Sequence, residues 1–113
     1  MSVLNNIRLT EHFKLKEFEC PCCKTVRLYP ALLEKLEHLR NARGKPVVIT
    51  SGYRCEKHNS EVGGVPRSRH IEGKAVDVKA PPDEQETFRT LATSCGFAKI
   101  ILYGKRGFVH VEI

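Results

Sequence analysis

Three side chains in this sequence are of types that could together hold a metal ion: His70, Asp77 and His110. His70 and Asp77 lie seven residues apart, with a glycine and an alanine between them. Apolar and polar residues alternate from Lys74 onward, which predicts a loop that carries His70 and a following strand that carries Asp77. An unpaired buried carboxylate costs several kcal/mol, and a metal ion would supply the charge that Asp77 needs.

His110 lies in the last predicted strand, residues 108–112, and supplies the third ligand. Zinc accepts imidazole nitrogens and carboxylate oxygens, and catalytic zinc sites combine three protein ligands with a fourth position open to water. The pattern therefore predicts a zinc site of the hydrolytic kind. The residues alone leave an alternative, in which His110 is a satisfied core histidine and Asp77 pairs with a lysine.

Glu112 shares a strand face with His110, because side chains on a strand alternate with a period of two. Its carboxylate is placed either to act as a general base on a zinc-activated water or to hydrogen-bond a metal ligand. We expect Glu112 to be the base.

The length of 113 residues allows one domain with one core and is too short for two. We therefore expect a single domain over residues 1–113, with residues 1–11 as an N-terminal arm, and a monomer. Hydrophobic residues make up 41% and charged residues 28%, which is typical of a globular protein, and no apolar run is long enough to span a bilayer. Residues 1–10 lack the pattern of a secretory signal.

The formal net charge of +6 favours polyanionic surroundings such as an anionic cell wall. The basic residues are scattered, however, and no basic run is interleaved with aromatic residues that could stack on bases. We therefore expect neither a nucleic-acid partner nor a membrane partner.

Five cysteines are present, and three of them, Cys20, Cys22 and Cys23, lie close together. Without a secretory signal, reduced thiols are expected. The cluster is consistent with a reduced turn, a disulfide to Cys55 in an oxidising setting, or a zinc knuckle. The spacing differs from the usual pair-plus-pair of zinc ligands, so a second metal is the least favoured of these. A nucleic-acid-binding zinc knuckle is a more distant alternative.

Two helices and four strands are predicted to position these residues. One helix follows Pro30, repeats leucines with a helical period and stops at Gly44; the other follows Pro81, with Asp83 as its cap, and stops at Gly96. The predicted strands are 46–51, 74–79, 99–103 and 108–112, and the first of them is predicted to be buried. The stretch 52–67 is predicted to be a long functional loop. The fold class is α+β, with two main helices on a small, mainly antiparallel sheet.

Several stretches of the chain match a known pattern: 17–23, 51–54, 58–59, 62–64, 68–77 and 108–111. Together they resemble the zinc D-alanyl-D-alanine peptidase family, which shares its fold with the hedgehog signalling domain. The pattern Ser-x-His-x-x-Gly-x-Ala-x-Asp at 68–77, combined with the terminal histidine, is specific. The resemblance covers roughly residues 12–113.

The resemblance implies that His70, Asp77 and His110 are the zinc ligands. Arg54 matches an arginine that would hold a substrate carboxylate or orient the scissile carbonyl, a task that suits a planar guanidinium. Ser68 matches a serine close to a ligand. The implied activity is hydrolysis of amide bonds involving D-amino acids in peptidoglycan stem peptides or cross-links, with Zn²⁺ polarising the carbonyl.

The sequence departs from the family at the expected base, because Gly107 stands where members carry an acid and Phe108 where others carry a second histidine. Glu112 is thus expected from strand geometry and not from the resemblance. The alternative is a zinc domain that binds cell-wall peptides without hydrolysing them. We expect synthesis in the cytoplasm and action at the cell wall or periplasm. Release would then use a route other than a secretory signal, for example as part of an endolysin-like phage lysis system or a phage tail.

Overall fold

The computed structural model describes residues 5–113, so the first part of the predicted N-terminal arm lies outside the described residues. Residues 5–113 form four helices and four strands: α1 (Pro30–Arg43), β1 (Ile49–Ser51), α2 (Glu56–Glu61), α3 (Arg69–Glu72), β2 (Ala75–Lys79), α4 (Gln85–Ser94), β3 (Lys99–Leu102) and β4 (Phe108–Glu112). Short 3₁₀ turns at Leu15–Phe18, Pro82–Glu84 and Gly104–Arg106 complete the list. No helix among residues 5–113 is both long enough and apolar enough to cross a membrane.

The strands form one four-stranded sheet in the order β1-β2-β4-β3, and every neighbouring pair is antiparallel. Strands β3 and β4 form an antiparallel pair joined through the turn Gly104–Arg106. The central pair places Asp77 directly opposite His110. The predicted fold class, a small antiparallel sheet with two main helices, is confirmed.

The hydrophobic core lies on the face of the sheet that α1 and α4 cover. Alternate residues of the two central strands are buried there, and they pack with leucines of α1 and with Phe88 and Ala92 of α4: Val76, Val78, Val109, Val111, Leu32, Leu36 and Leu39. Because strand side chains alternate between faces, Asp77 and His110 point to the opposite face. The helices thus hold the two strands in register from the side opposite the predicted metal ligands.

Two sequence predictions about local structure were wrong. The stretch 52–67, predicted to be a loop, contains the two-turn helix α2, and His70 lies on the single-turn helix α3 instead of a loop. Helices this short have no hydrophobic period to detect, and they depend on caps and tertiary packing.

The first strand and the cap of α4 also differ from the prediction. The strand β1 spans only Ile49–Ser51 and lies at an edge of the sheet. Val48, just before it, is 47% exposed, so this stretch is not a buried strand. Asp83 lies within the turn Pro82–Glu84 and does not cap α4, whose cap position is Glu84.

Candidate metal centre

The three predicted metal ligands converge on one point. His70 Nε2 lies 3.2 Å from His110 Nδ1 and 3.3 Å from Asp77 Oδ1, and His110 Nδ1 lies 3.0 Å from Asp77 Oδ1. All three residues are buried. Ligand atoms 2.0–2.1 Å from a tetrahedral zinc ion lie about 3.3–3.4 Å from one another, so the triangle has nearly the size that zinc requires.

Three features of the local fold bring these atoms together. The register of the antiparallel pair β2 and β4 sets Asp77 beside His110. Helix α3 delivers His70, and the Ser68 hydroxyl caps that helix by accepting a hydrogen bond from the His70 amide at 3.2 Å. Gly73 ends the helix at φ +73° with its α-hydrogen against Arg27, where a Cβ would lie 2.5 Å from a backbone oxygen. A residue other than glycine at this position would shift His70.

Each histidine has its outer ring nitrogen fixed by an acceptor. His70 Nδ1 donates to the backbone carbonyl of Gly52 at 2.8 Å, and His110 Nε2 donates to Glu112 Oε1 at 3.1 Å. Both acceptors require a proton on that nitrogen, so the inner nitrogens keep their lone pairs. Two lone pairs and a carboxylate oxygen then face one another, and a cation satisfies all three at once. The donor set therefore fits zinc.

Arg54 holds the second oxygen of the ligand Asp77. Its Nη2 lies 3.2 Å from Asp77 Oδ2, while Nε donates to Ser51 Oγ and Nη1 to Asn59 Oδ1, both at 3.1 Å. A bulge in β1 between Ile49 and Ser51 brings Ser51 opposite Asp77 and within reach of Arg54. With Oδ2 engaged by the guanidinium, Oδ1 is left to face the two histidines.

The charges within the site reinforce one another. No ion separates Asp77 from the two imidazoles in the zinc-free protein. Burial raises the pKa of Asp77, but its direct contacts with His110 and His70 outweigh burial and hold that pKa well below its ordinary range. Burial lowers the pKa of His110, but its hydrogen bonds with Asp77 and Glu112 outweigh burial and raise that pKa. Asp77 is consequently ionised at neutral pH and ready to bind a cation.

A cleft with a volume of about 460 Å³ opens onto the three ligands. One wall is the segment 62–69, and the other is formed by Ile101, Tyr103 and Phe108. Tyr103 and Phe108 stack with ring centroids 4.4 Å apart. The cleft is strongly basic, since five of its lining residues carry a positive charge: Arg54, Arg67, Arg69, Lys99 and Arg106. Such a cleft suits a ligand that carries a carboxylate.

Comparison with known sequences identifies the family. Residues 11–112 match the sequence profile of the family Peptidase M15. The chain belongs to the peptidase M15 family. Another protein that it resembles is the zinc D-Ala-D-Ala carboxypeptidase of Streptomyces albus G, which is 36% identical over 74 residues. That alignment covers 65% of this chain and 29% of the relative, so the chain matches less than a third of the relative's length.

Membership in the M15 family confirms the resemblance drawn from the sequence motifs. The M15 domain brings all three predicted ligands together and sets Arg54 against one of them. Glu112 is placed against His110, and Ser68 contacts the amide of His70. The catalytic and substrate-binding roles given to Arg54, Ser68 and Glu112 remain predictions.

Two residues that contribute to the M15 site, Asn59 and Gly52, were assigned no function from the sequence. Asn59 is buried on α2, where its side chain joins Arg54 to the carbonyl of Val65 at 2.8 Å and so fixes the loop over the cleft. Its spacing of five residues from Arg54 is a weak signal because α2 was not recognised. The carbonyl of Gly52 orients His70. Every residue has a backbone carbonyl, so this contact cannot be recognised from residue types.

Proposed function

We propose that this M15 domain is a zinc peptidase that hydrolyses amide bonds involving D-amino acids in peptidoglycan stem peptides or cross-links. The observation that carries the proposal is the convergence of two imidazole lone pairs and one carboxylate oxygen at the end of a basic cleft. The family membership and the D-Ala-D-Ala carboxypeptidase named among its relatives support the substrate class.

His70, Asp77 and His110 would hold the zinc ion in this proposal. When bound, zinc supplies Lewis-acid polarisation of the substrate carbonyl and lowers the pKa of a water molecule. The chain itself contributes preorganisation, because each ligand already has its free atom directed inward by Gly52, Arg54 or Glu112. Ligands fixed in this way do not have to reorient during the reaction.

Arg54 is the proposed anchor for the substrate. Its guanidinium has five N–H donors, and Ser51, Asn59 and Asp77 engage three of them. Two donors remain for a substrate carbonyl or carboxylate, and the other basic residues of the cleft attract the same group. A terminal carboxylate next to the scissile bond would favour carboxypeptidase action, whereas a cross-linked peptide extending along the open cleft would favour endopeptidase action.

Glu112 has two candidate roles, and the contacts favour the one that supports the metal. Its Oε1 accepts from His110 Nε2, and its Oε2 lies 3.5 Å from Arg69 Nε. We propose that Glu112 orients His110 and keeps its outer nitrogen protonated. Among the described residues that line the cleft, Asp77 and Glu112 are the two carboxylates, so the role of base predicted for Glu112 needs a direct test.

A second candidate function follows from the same contacts. Since the oxygens of both carboxylates in the cleft are already engaged within the protein, the domain would bind a cell-wall peptide through zinc and Arg54 without hydrolysing it. In either case we propose peptidoglycan or its fragments as the ligand, a monomeric domain, and action at the cell wall or periplasm.

Mass spectrometry of digested peptidoglycan distinguishes these functions. The wild-type protein should shorten or uncouple stem peptides, and His70→Ala should lose that activity together with one zinc ion per chain. His38→Ala is the matched control, because His38 is an exposed residue of α1 remote from the site. Hydrolysis by His70→Ala after it has lost that ion would refute the zinc mechanism. Binding of muropeptides without turnover by the zinc-loaded wild type would establish the second function.

A further inference from the structure

Four of the five cysteines meet at a second point in the fold. Cys20, Cys22 and Cys23 lie in the turn after Leu15–Phe18, and Cys55 is the cap residue of α2. Their sulfur atoms all lie within 4.8 Å of one another. The separations are 3.6 Å for Cys20 and Cys22, 3.6 Å for Cys20 and Cys55, and 3.2 Å for Cys22 and Cys55.

These separations are far longer than a disulfide bond, which is about 2.0 Å. Four sulfur atoms that each lie 2.3 Å from a tetrahedral zinc ion are about 3.8 Å apart. The cluster therefore has nearly the size of a four-thiolate metal site. It is also closed, since four protein ligands leave no open position, which distinguishes structural zinc sites from catalytic ones.

The backbone around the cluster favours ionised sulfur. The amide of Cys55 donates to Cys20 Sγ at 3.5 Å, and the amide of His58 donates to Cys55 Sγ at 3.4 Å. Hydrogen bonds from amides stabilise the thiolate relative to the thiol. Four thiolates this close would repel one another strongly without a cation, so the arrangement calls for a divalent ion.

The turn that presents three of the cysteines is held in an unfavourable conformation. Lys24 has φ +63°, and a residue other than glycine in this region costs about 1–2 kcal/mol. The conformation lets the Lys24 amide donate to the carbonyl of Cys20 at 2.8 Å, while the Cys20 amide donates to Thr25 at 2.8 Å. A ligand bound by the cysteines would compensate for this strain.

We propose that Cys20, Cys22, Cys23 and Cys55 bind a structural zinc ion, separate from the ion held by His70, Asp77 and His110. Zinc is the cation that matches four thiolates in a closed tetrahedral arrangement.

The cysteine-bound ion would clamp the segment that supports the first metal site. Just before Cys55, the amide of Tyr53 donates to the carbonyl of Phe18 at 2.9 Å, and Gly52 packs so closely that a Cβ would lie 2.6 Å from Phe18 Cα. The same short segment supplies the Gly52 carbonyl to His70 and the Arg54 side chain to Asp77. Fixing Cys55 to the N-terminal turn therefore stiffens both supports.

Zinc content per chain tests the proposal directly. Inductively coupled plasma mass spectrometry on protein purified under reducing conditions should find two zinc ions in the wild type. Cys22→Ser should retain one, and His70→Ala should also retain one, through the opposite site. Cys95→Ser is the matched control and should retain two, since Cys95 lies at the end of α4 outside the cluster. Complete loss of zinc in His70→Ala, or two zinc ions in Cys22→Ser, would overturn the proposal.

Alkylation of the wild-type protein gives a second measurement that needs no variant. Cys22 and Cys23 are exposed, so they should react rapidly with iodoacetamide if they are free. Bound zinc should protect both until a chelator is added. Cobalt-loaded His70→Ala should still show thiolate-to-metal charge-transfer absorption. Rapid labelling before chelation, iron in place of zinc, or a Cys22–Cys55 disulfide in non-reduced peptides would each contradict the proposal.

Discussion

The role of Glu112 can be resolved by replacing its carboxylate with groups that hydrogen-bond progressively less well. Glu112 is 8% exposed, and its Oε1 accepts from His110 Nε2 at 3.1 Å. Glu112→Gln keeps an oxygen that can accept this bond but removes the charge, which about halves the strength of the bond. Glu112→Ala removes the bond. If Glu112 orients His110, zinc affinity at this site should fall in the order wild type, Glu112→Gln, Glu112→Ala.

The expected size of the effect follows from the contact that is lost. Loss of a hydrogen-bond partner that orients a metal-bound histidine lowers metal affinity about 10- to 100-fold, or about 1.4–2.7 kcal/mol. We expect about 10-fold for Glu112→Gln and about 100-fold for Glu112→Ala. At saturating zinc, Glu112→Gln should recover most of its kcat. A general base would behave differently, because its loss lowers kcat about 10²- to 10⁴-fold at unchanged zinc affinity.

Competitive titration against a chromophoric zinc chelator measures the affinity, and muropeptide turnover at saturating zinc measures kcat. Glu72→Gln is the matched control, since Glu72 also pairs with Arg69 but lies half-exposed on α3 away from His110. It should change neither quantity by more than about 2-fold. The orienting role is refuted if Glu112→Gln binds zinc as tightly as the wild type while kcat falls by 100-fold or more.

Three further predictions follow from other contacts. Arg54→Ala leaves Asp77 Oδ2 without its partner at a buried position, so it should lower the free energy of unfolding of the zinc-free protein by about 3 kcal/mol in urea titrations. Gly52→Ala should cost about 1–3 kcal/mol by the same assay and reduce zinc binding by His70, because its Cβ would overlap Phe18. The raised pKa of His110 adds stability to the zinc-free domain that is full below pH 6.5 and lost as the pH rises through the folded-state pKa. The Tm of zinc-stripped protein should accordingly fall between pH 6 and 8, and that fall should be smaller in His110→Gln.

The sequence was sufficient to predict that His70, Asp77 and His110 come together, because their signals are local. Strand alternation places Asp77 and His110 on one face, and antiparallel pairing of β2 with β4 then requires only a choice of register. The leucine repeat of α1 and its flanking Pro30 and Gly44 likewise predicted the longer helix correctly. These features depend on neighbouring residues, so the chain displays them directly.

The groups that orient the ligands could not be predicted, because they depend on tertiary contacts. The carbonyl of Gly52 reaches His70 across 18 residues, and Arg54 reaches Asp77 across 23. Both contacts require α2 and α3, which are too short to show a hydrophobic period. The residue type shows that Arg54 can bind a carboxylate. It does not show that Arg54 binds the carboxylate of Asp77, a predicted metal ligand.

The cysteine cluster shows the same limit and links the two halves of the site. Cys20 and Cys55 are 35 residues apart, so the sequence displays only a group of three thiols whose spacing departs from known zinc motifs. The close contact of Gly52 with Phe18 brings Cys55, the fourth thiol, to the other three. The segment 52–55 also supports His70 through the Gly52 carbonyl and Asp77 through Arg54. Loss of the cysteine-bound ion should therefore weaken zinc binding by His70, Asp77 and His110. Because coupling between two binding sites is reciprocal, loss of the ion at His70 should weaken zinc binding by the cysteines by the same factor. This coupling would pass through residues 52–55, since His70, Asp77 and His110 provide no ligand to the cysteine-bound ion.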